Sequence, residues 1–195
     1  MPPSRQPKLT MPAIVETAIE LADAEGLGAL SMRKLATTLD AGTMSLYRHI
    51  SDKDQLIGAM AEVAGAAFAY PYDQDGSWTW RERVTIAVDL DWALFERHPW
   101  MVFAYAAPRY TLSESSLACL RWLADGLTDL GVDDEEATSM ALSVWDLTNG
   151  VALMLATDRI LHTGPREASA PDGLKERLDV GVESLCRGFA ARGPD

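Results

Sequence analysis

Residues 31–53 read SMRKLATTLDAGTMSLYRHISDK, and this pattern predicts two short helices joined by a tight turn. Ser31 stands where a side-chain oxygen can accept an unpaired backbone N–H of the first helical turn. Four apolar residues then follow at the spacing of one helix face, through which the first helix is expected to pack. They are Met32, Leu35, Ala36 and Leu39.

The turn is expected at residues 40–42, which are Asp-Ala-Gly. Asp tolerates the left-handed backbone conformation better than most residues other than glycine, and glycine lets the chain turn again. The second helix is expected to begin near Gly42 or Thr43 and to run to about Ile50. Leu46 and Ile50 lie four residues apart and would anchor it, which leaves its other side chains on outward faces.

Eight side chains in and beside the second helix are suited to reading DNA. In a helix-turn-helix, the start of the second helix enters the major groove, where base contacts specify the sequence and phosphate contacts position the protein. Residues 43–45 are the base-contact candidates, because Ser and Thr bond to either base type and Met packs on a thymine methyl. An ordinary solvated basic face is the alternative. The candidates are Arg33, Thr43, Met44, Ser45, Tyr47, Arg48, His49 and Lys53.

The stretch resembles the DNA-binding domain of the TetR family of one-component transcriptional repressors. The matching segments are Arg33-Lys34-Leu35-Ala36, Leu46-Tyr47-Arg48-His49 and Asp52-Lys53. The match covers about residues 9–60, and it departs from the family in the turn, where Asp40 replaces the usual Gly and Gly42 a frequent Ser. The resemblance implies that the eight candidates contact DNA, and that the rest of the chain binds an inducer and pairs with a second copy.

Beyond this stretch the sequence predicts helices only, about nine in all, so the expected fold class is all-α. We expect a flexible N-terminal arm over residues 1–9 and a helix-turn-helix DNA-binding domain over residues 10–55. Thr10 is expected to cap the first helix of this domain, and Gly26 to end it. Residues 56–195 are assigned to a helical ligand-binding and dimerisation domain. Ser51, with Asp54 three residues later, is expected to cap the helix that follows the second helix of the motif.

The net charge of −12 is unevenly distributed along the chain. Residues 1–60 contain six Lys/Arg and seven Asp/Glu, whereas residues 61–195 contain eleven and twenty-two. Residues 31–53 contain four Lys/Arg against two Asp. The sequence therefore predicts a bipolar molecule whose basic end faces phosphate while its acidic body is repelled by it.

Several classes of protein are disfavoured by the sequence. No apolar run is judged long enough to span a bilayer, and no signal peptide is recognised. Cys119 and Cys186 lack metal-ligand spacing, which favours buried thiols in a reducing cytoplasm. The three histidines, His49, His98 and His162, form no metal or catalytic motif, so no cofactor and no metal is expected. A small all-α enzyme is the remote alternative.

The resemblance implies a second candidate site, an inducer pocket in the C-terminal body. The tryptophans and the acidic charge of the body suggest an aromatic or apolar inducer, which could be a cation. All six tryptophans follow residue 77, and ligand pockets are mostly apolar with a few placed polar groups. Asp89, Asp146 and Asn149 lie on otherwise apolar helices and could supply those groups. Ordinary core packing is the alternative for each aromatic residue. The candidates are Trp92, Phe95, Phe103, Trp122, Trp145, Asp146, Asn149 and Met154.

The resemblance also implies that the last two helices of each subunit pair into a four-helix interface. Both helices carry wide apolar faces, and a glycine on the first would let a neighbouring helix approach closely. The alternative is that these faces serve only the core of one chain. The interface candidates are Val144, Gly150, Val151, Leu178, Val182, Leu185 and Phe189.

Together these features favour a ligand-responsive transcriptional repressor that binds a palindromic operator in double-stranded DNA as a homodimer. A small-molecule inducer would release it, and no membrane is involved. A ligand-independent DNA-binding regulator or an activator is the alternative.

Overall fold

The computed structural model describes residues 9–72, 76–105, 113–161 and 173–192. Within these ranges every regular element is helical, which confirms the all-α prediction and its nine α-helices. The helices are α1 (Met11–Glu25), α2 (Met32–Thr38), α3 (Thr43–Leu46), α4 (Lys53–Ala66), α5 (Trp80–Arg97), α6 (Met101–Tyr105), α7 (Glu114–Leu127), α8 (Asp134–Leu161) and α9 (Leu174–Ala190), with short 3₁₀ turns at Leu27–Ala29 and Thr128–Leu130.

The chain divides into two compact units, residues 1–64 and residues 65–195, which we call the head and the body. The sequence analysis placed this boundary between residues 55 and 56. In the structure most of α4 belongs to the head. Leu56, Ile57 and Met60 on the inner face of this helix are buried. The N-terminal arm predicted over residues 1–9 lies, except for its last residue, outside the described residues.

The caps of the first two helices are the ones that the sequence predicts. The Thr10 hydroxyl accepts the Ala13 N–H at 3.4 Å and opens α1, and Gly26 ends that helix with a positive φ of 83°. The Ser31 hydroxyl accepts the Lys34 N–H at 3.2 Å and opens α2. Caps of this kind stabilise a helix by about 1 kcal/mol each.

The turn between α2 and α3 also has the predicted geometry. Asp40 has φ = 47°, in the left-handed region, and it is the only non-glycine residue with positive φ among those described. The Ala41 N–H is bonded to the Ala36 carbonyl at 2.9 Å across this turn. The second helix is shorter than predicted, since α3 ends at Leu46 instead of near Ile50. The His49 N–H bonds to the Leu46 carbonyl, three residues back, which tightens the chain before buried Ile50.

The start of α4 corrects one sequence expectation, because Asp52 and not Ser51 caps this helix. The Asp52 carboxylate accepts the Gln55 N–H at 2.7 Å, and the Gln55 side-chain oxygen accepts the Ser51 N–H at 2.6 Å. The Ser51 hydroxyl donates to Asp52 instead. This geometry holds the pKa of the Asp52 carboxyl below its ordinary value, because the Gln55 backbone N–H favours the charged form.

The body is built on α8, which packs against α5, α7 and α9. Its core contains the apolar residues of these helices, among them Val88, Leu123 and Leu178. A side-chain cap opens three of these helices, with Ser113 capping α7 and Asp133 capping α8. For α5 the cap is a capping box in which Thr79 and Glu82 satisfy each other's backbone N–H groups.

One stretch, Asp134–Thr157 of α8, is long and apolar enough to cross a membrane by length and composition. This corrects the expectation that no run reaches that length. The core helix of a soluble protein meets the same criterion, and α8 packs against four other helices of the body, α5, α6, α7 and α9. Cys119 and Cys186 are both buried and free, as predicted.

Candidate nucleic-acid interface and body site

The candidate nucleic-acid interface is formed by α2, the turn and α3. Leu46 and Leu35 are fully buried, and Ile50 is buried just beyond the helix. These side chains fix α3 to the head as predicted. They leave the opposite side of α3 free to face solvent.

That outward side carries the predicted base-reading residues. Met44 is 76% exposed, an unusual degree for a methionine, and Tyr47 is 43% exposed. Thr43 and Ser45 are partly exposed. An apolar tip between two hydroxyl side chains has the chemistry needed to contact thymine methyls and base edges.

The basic residues of this surface differ in their hydrogen bonds and in their exposure. Arg48 donates from Nη2 to the Ser45 hydroxyl at 2.9 Å, which positions its guanidinium beside the start of α3. Arg33 and His49 are exposed. Lys53 donates to the Leu30 carbonyl at 2.7 Å, so its ammonium also ties α4 to the segment before α2. The assignment of the eight residues to DNA contacts stays a prediction.

The body residues predicted to line a ligand pocket do not share one environment. Trp92, Phe95 and Trp122 are buried in the core, and Phe103, Trp145 and Asn149 are partly buried. Asp146 and Met154 are exposed, and Asp89 is an exposed partner of Lys175 at 2.9 Å. The polar groups named from the sequence therefore lie mostly on the surface of the body.

A different polar group lies within the aromatic core of the body. The Trp145 indole N–H on α8 donates to the Tyr70 hydroxyl oxygen at 2.7 Å, and the Tyr70 O–H donates to Asp91 Oδ2 on α5 at 2.8 Å. The Tyr70 backbone N–H also points at Cys119 Sγ on α7, 3.5 Å away. We call Tyr70, Asp91 and Trp145 the carboxylate triad.

The electrostatics of the triad follow from burial. Desolvation raises the pKa of Asp91 from 3.8 to about 7, and the hydrogen bond from Tyr70 offsets part of that rise. Burial also raises the pKa of Tyr70 well above its ordinary value, with the Asp91 carboxylate adding to the effect. A carboxyl group that titrates near neutrality in an aromatic environment is typical of functional sites.

Arg83 on α5 packs against Trp122, whose ring also lies against Tyr70 of the carboxylate triad. Its Nη1 donates to the Trp122 carbonyl at 2.6 Å, and its guanidinium lies 4.9 Å from the Trp122 ring centroid. Its Nε is buried without a hydrogen-bond partner among the described residues. A Cβ at Gly126 on α7 would clash with the Arg83 side chain, which extends from α5. Glycine at this position therefore leaves room for that side chain.

Asp91 and Tyr70 were not predicted as site residues from the sequence, although one signal was present. Asp91 lies at the spacing of the inner apolar face of α5, between buried Val84, Val88 and Phe95. A lone carboxylate on an apolar stripe must find a partner or a ligand. Tyr70 has no comparable signal, because its role depends on contacts with residues more than 20 positions away.

The interface candidates on α8 and α9 also divide by burial. Val144, Leu178 and Phe189 are buried within the chain, which leaves them no surface to offer a partner. Val151, Val182 and Leu185 pack partly against the same core. Gly150 is exposed. The other exposed apolar residues are Leu142, Leu153 and Met154 on α8 and Val180 on α9.

The described part of the chain contains no group of three or more His, Cys, Asp or Glu residues placed to hold a metal ion.

Similarity to known proteins covers both units. Residues 14–60 match the family model for bacterial regulatory proteins of the tetR family. The HTH-type transcriptional repressor DrrR1 of Streptomyces coeruleorubidus is 34% identical over 152 residues, which are 77% of this chain and 56% of that protein. The chain thus spans little more than half the length of that relative.

Two solved structures share the fold over nearly the whole chain. A TetR variant from Acinetobacter baumannii AYE in complex with minocycline superposes with a TM-score of 0.79 at 21% identity, covering 96% of this chain and all of that one. BioQ with its natural double-stranded DNA operator gives 0.73 at 22% identity, covering 94% and 99%. At this level of identity the likeness shows the fold.

Proposed function

The chain belongs to the TetR family of bacterial regulatory proteins, and from this premise we propose that it is a ligand-responsive transcriptional repressor. In this proposal it binds a palindromic operator as a homodimer, and a small molecule held in the body releases it. It works as a cytoplasmic protein, without catalysis and without a cofactor.

One observation carries the DNA-binding part of the proposal. Helix α3 is anchored by Leu46 on one side and presents Met44 to solvent on the other, and Tyr47 and Arg48 just after the helix are also exposed. A methionine that is 76% exposed gains from a partner surface that is partly apolar, and a thymine methyl in the major groove is such a surface. Phosphate contacts from Arg33, His49 and Tyr47 would fix the depth and orientation of the helix.

The homodimer is supported by apolar residues left exposed on α8 and α9. Leu142, Leu153 and Val180 are 39%, 44% and 69% exposed, which is costly for residues that could be buried against a second copy. No atom lies within 4 Å of a Cβ built on Gly150, so another helix has room to approach there. A two-fold dimer would present two α3 helices to half-sites about 34–36 Å apart, or a multiple of that distance.

Release by a ligand requires that the ligand and DNA favour different conformations of the dimer. The ligand can shift the equilibrium only by the ratio of its affinities for the two conformations. Linkage then requires that operator DNA weaken ligand binding by the same factor. BioQ has been captured with its operator and the TetR variant with minocycline, which supports the two halves of this cycle in two similar proteins.

The DNA-binding part is tested with two variants that remove the same charge from different units. Arg48→Ala removes the guanidinium beside α3, whereas Arg121→Ala removes an exposed guanidinium from α7 of the body. Fluorescence anisotropy with duplexes tiled across the region upstream of the chain's own coding sequence gives the affinities. We expect Arg48→Ala to weaken operator binding by roughly tenfold or more, and Arg121→Ala to leave it within about twofold. Equal effects would reject α3 as the DNA-reading element.

A further inference from the structure

The carboxylate triad has a fixed direction of hydrogen bonding. An indole N–H can only donate, so the Tyr70 oxygen accepts from Trp145 and its own proton is left for Asp91. The chain of donors therefore ends on Asp91 Oδ2. Trp145 on α8 thereby fixes the direction of the Tyr70 hydroxyl, and that hydroxyl in turn orients the Asp91 carboxylate on α5.

The other oxygen of Asp91, Oδ1, has no hydrogen-bond partner among the described residues. Tyr70 is the only hydrogen-bond or ion-pair partner that Asp91 has among the described residues. The residue is partly exposed, although its neighbours Trp92, Val88 and Phe95 are buried. Asp91 thus lies at the edge of the buried cluster, with Oδ2 held by Tyr70 and Oδ1 without a hydrogen-bond partner among the described residues.

The surroundings of the carboxylate favour a cation with an aromatic body. Tyr70 and Trp122 lie with ring centroids 5.6 Å apart, and Trp78 lies 5.6 Å from Trp122 on another side. The faces of such rings attract cations and pack on aromatic ligands. Arg83 already occupies one position against Trp122, which shows that the cluster accommodates a positive charge.

No Lys or Arg among the described residues forms an ion pair with Asp91. Arg83 is bonded to the Trp122 carbonyl, and Lys175 is shared between Asp89 and Asp179 on the surface. A partly desolvated carboxylate without a counter-ion raises the free energy of its charged form. A cationic ligand would restore the missing partner.

We propose that Asp91, oriented by Tyr70 and Trp145, is the anionic contact of the inducer site and that the inducer is an aromatic cation such as a protonated amine on a planar ring system. The inference rests on the proposed function, since it names the ligand class for the same repressor. Asp91 Oδ1 accepts the ammonium N–H, and the partly exposed rings of Trp78 and Trp145 contact the planar part of the molecule.

The test uses a matched pair of probes on the full-length chain. 9-Aminoacridine is a planar tricyclic cation at neutral pH, and acridone is a neutral tricycle of similar size. Binding is followed by quenching of tryptophan fluorescence and by the emission of the probe. We expect the wild-type chain to bind 9-aminoacridine at least about tenfold more tightly than acridone, as expected for one charge-assisted hydrogen bond.

Three variants assign the selectivity to Asp91. Asp91→Asn should abolish the preference for the cation and leave acridone affinity within about twofold. Asp89→Asn is the matched control, because it removes a carboxylate two residues away on the exposed side of α5 and should leave the preference intact. Tyr70→Phe keeps the ring and removes the orienting hydrogen bond, so it should lower the ratio of the two affinities without changing acridone binding.

Two results would overturn the inference. One is a wild-type chain that binds both probes equally, prefers acridone, or binds neither. The other is a cation preference that survives in Asp91→Asn, with circular dichroism and operator binding showing that this variant is folded. Failure of the repressor proposal is a separate result, because it would appear as a wild-type chain without operator affinity whatever its probe selectivity.

Discussion

Replacing Asp91 by Asn should change the pH dependence of the stability of the body. In the unfolded chain the carboxyl group has its ordinary pKa of 3.8, and in the folded chain burial raises that pKa to about 7. Between these values the folded state holds the proton more tightly, so the folded state is favoured at low pH. That advantage is lost as the pH rises through the range from about 4 to about 7.

The size of the effect follows from the two pKa values. Each pH unit between them is worth about 1.4 kcal/mol, which sets an upper limit of about 4 kcal/mol. Asp91 is partly exposed and accepts a hydrogen bond from Tyr70, so solvent screening reduces the effect, and we expect about 2 kcal/mol. Relative to Asp91→Asn, the wild-type chain should lose about this much free energy of unfolding between pH 4 and pH 8.

Urea unfolding followed by tryptophan fluorescence measures this difference. All six tryptophans follow residue 77, so the signal reports on the body. Both proteins are compared at one chain concentration, because association changes apparent stability. Unfolding free energies of the two proteins that stay parallel within about 0.5 kcal/mol over this pH range would refute the reasoning, and so would a wild-type chain that gains relative stability at high pH.

Three further predictions concern α3 and the body. Tyr47→Ala should weaken binding to operator and random duplexes alike, whereas Ser45→Ala should change the preference at one base position; competition with singly altered duplexes tests this, and equal losses on all duplexes would show that the roles are wrongly assigned. Leu46→Ala should destabilise the head by about 3–5 kcal/mol and abolish operator binding while the tryptophan fluorescence stays unchanged; retained binding would contradict it. Gly126→Ala should displace Arg83 and destabilise the body by about 1–2 kcal/mol in urea unfolding, and a variant more stable than wild type would contradict this.

Local signals in the sequence were enough to predict the start of the head. The caps at Thr10 and Ser31 and the left-handed conformation of Asp40 depend on residues within a few positions of each other. The cap of α4 was misassigned by one residue, since Ser51 and Asp52 are both good capping residues and the choice depends on Gln55. Capping preferences alone do not decide which of two adjacent residues accepts the backbone N–H.

The body was less predictable because its site depends on contacts between distant segments. The bond from Trp145 to Tyr70 joins residues 75 positions apart, and no periodicity in the sequence marks it. Burial likewise separated the interface candidates, since Val144 and Leu178 face the core of the chain while Gly150 is exposed. Helical spacing predicts that a face is apolar, but it does not predict which neighbour covers that face.

The most direct test of the account compares two duplexes of equal length and base composition at physiological salt. One is the duplex from upstream of the chain's own coding sequence that binds most tightly, and the other is its scrambled form. We expect the first to bind at least about a thousandfold more tightly, as two copies of the chain. Equal affinity for the two duplexes, or binding as a single copy, would contradict the claim that α3 reads a palindromic operator.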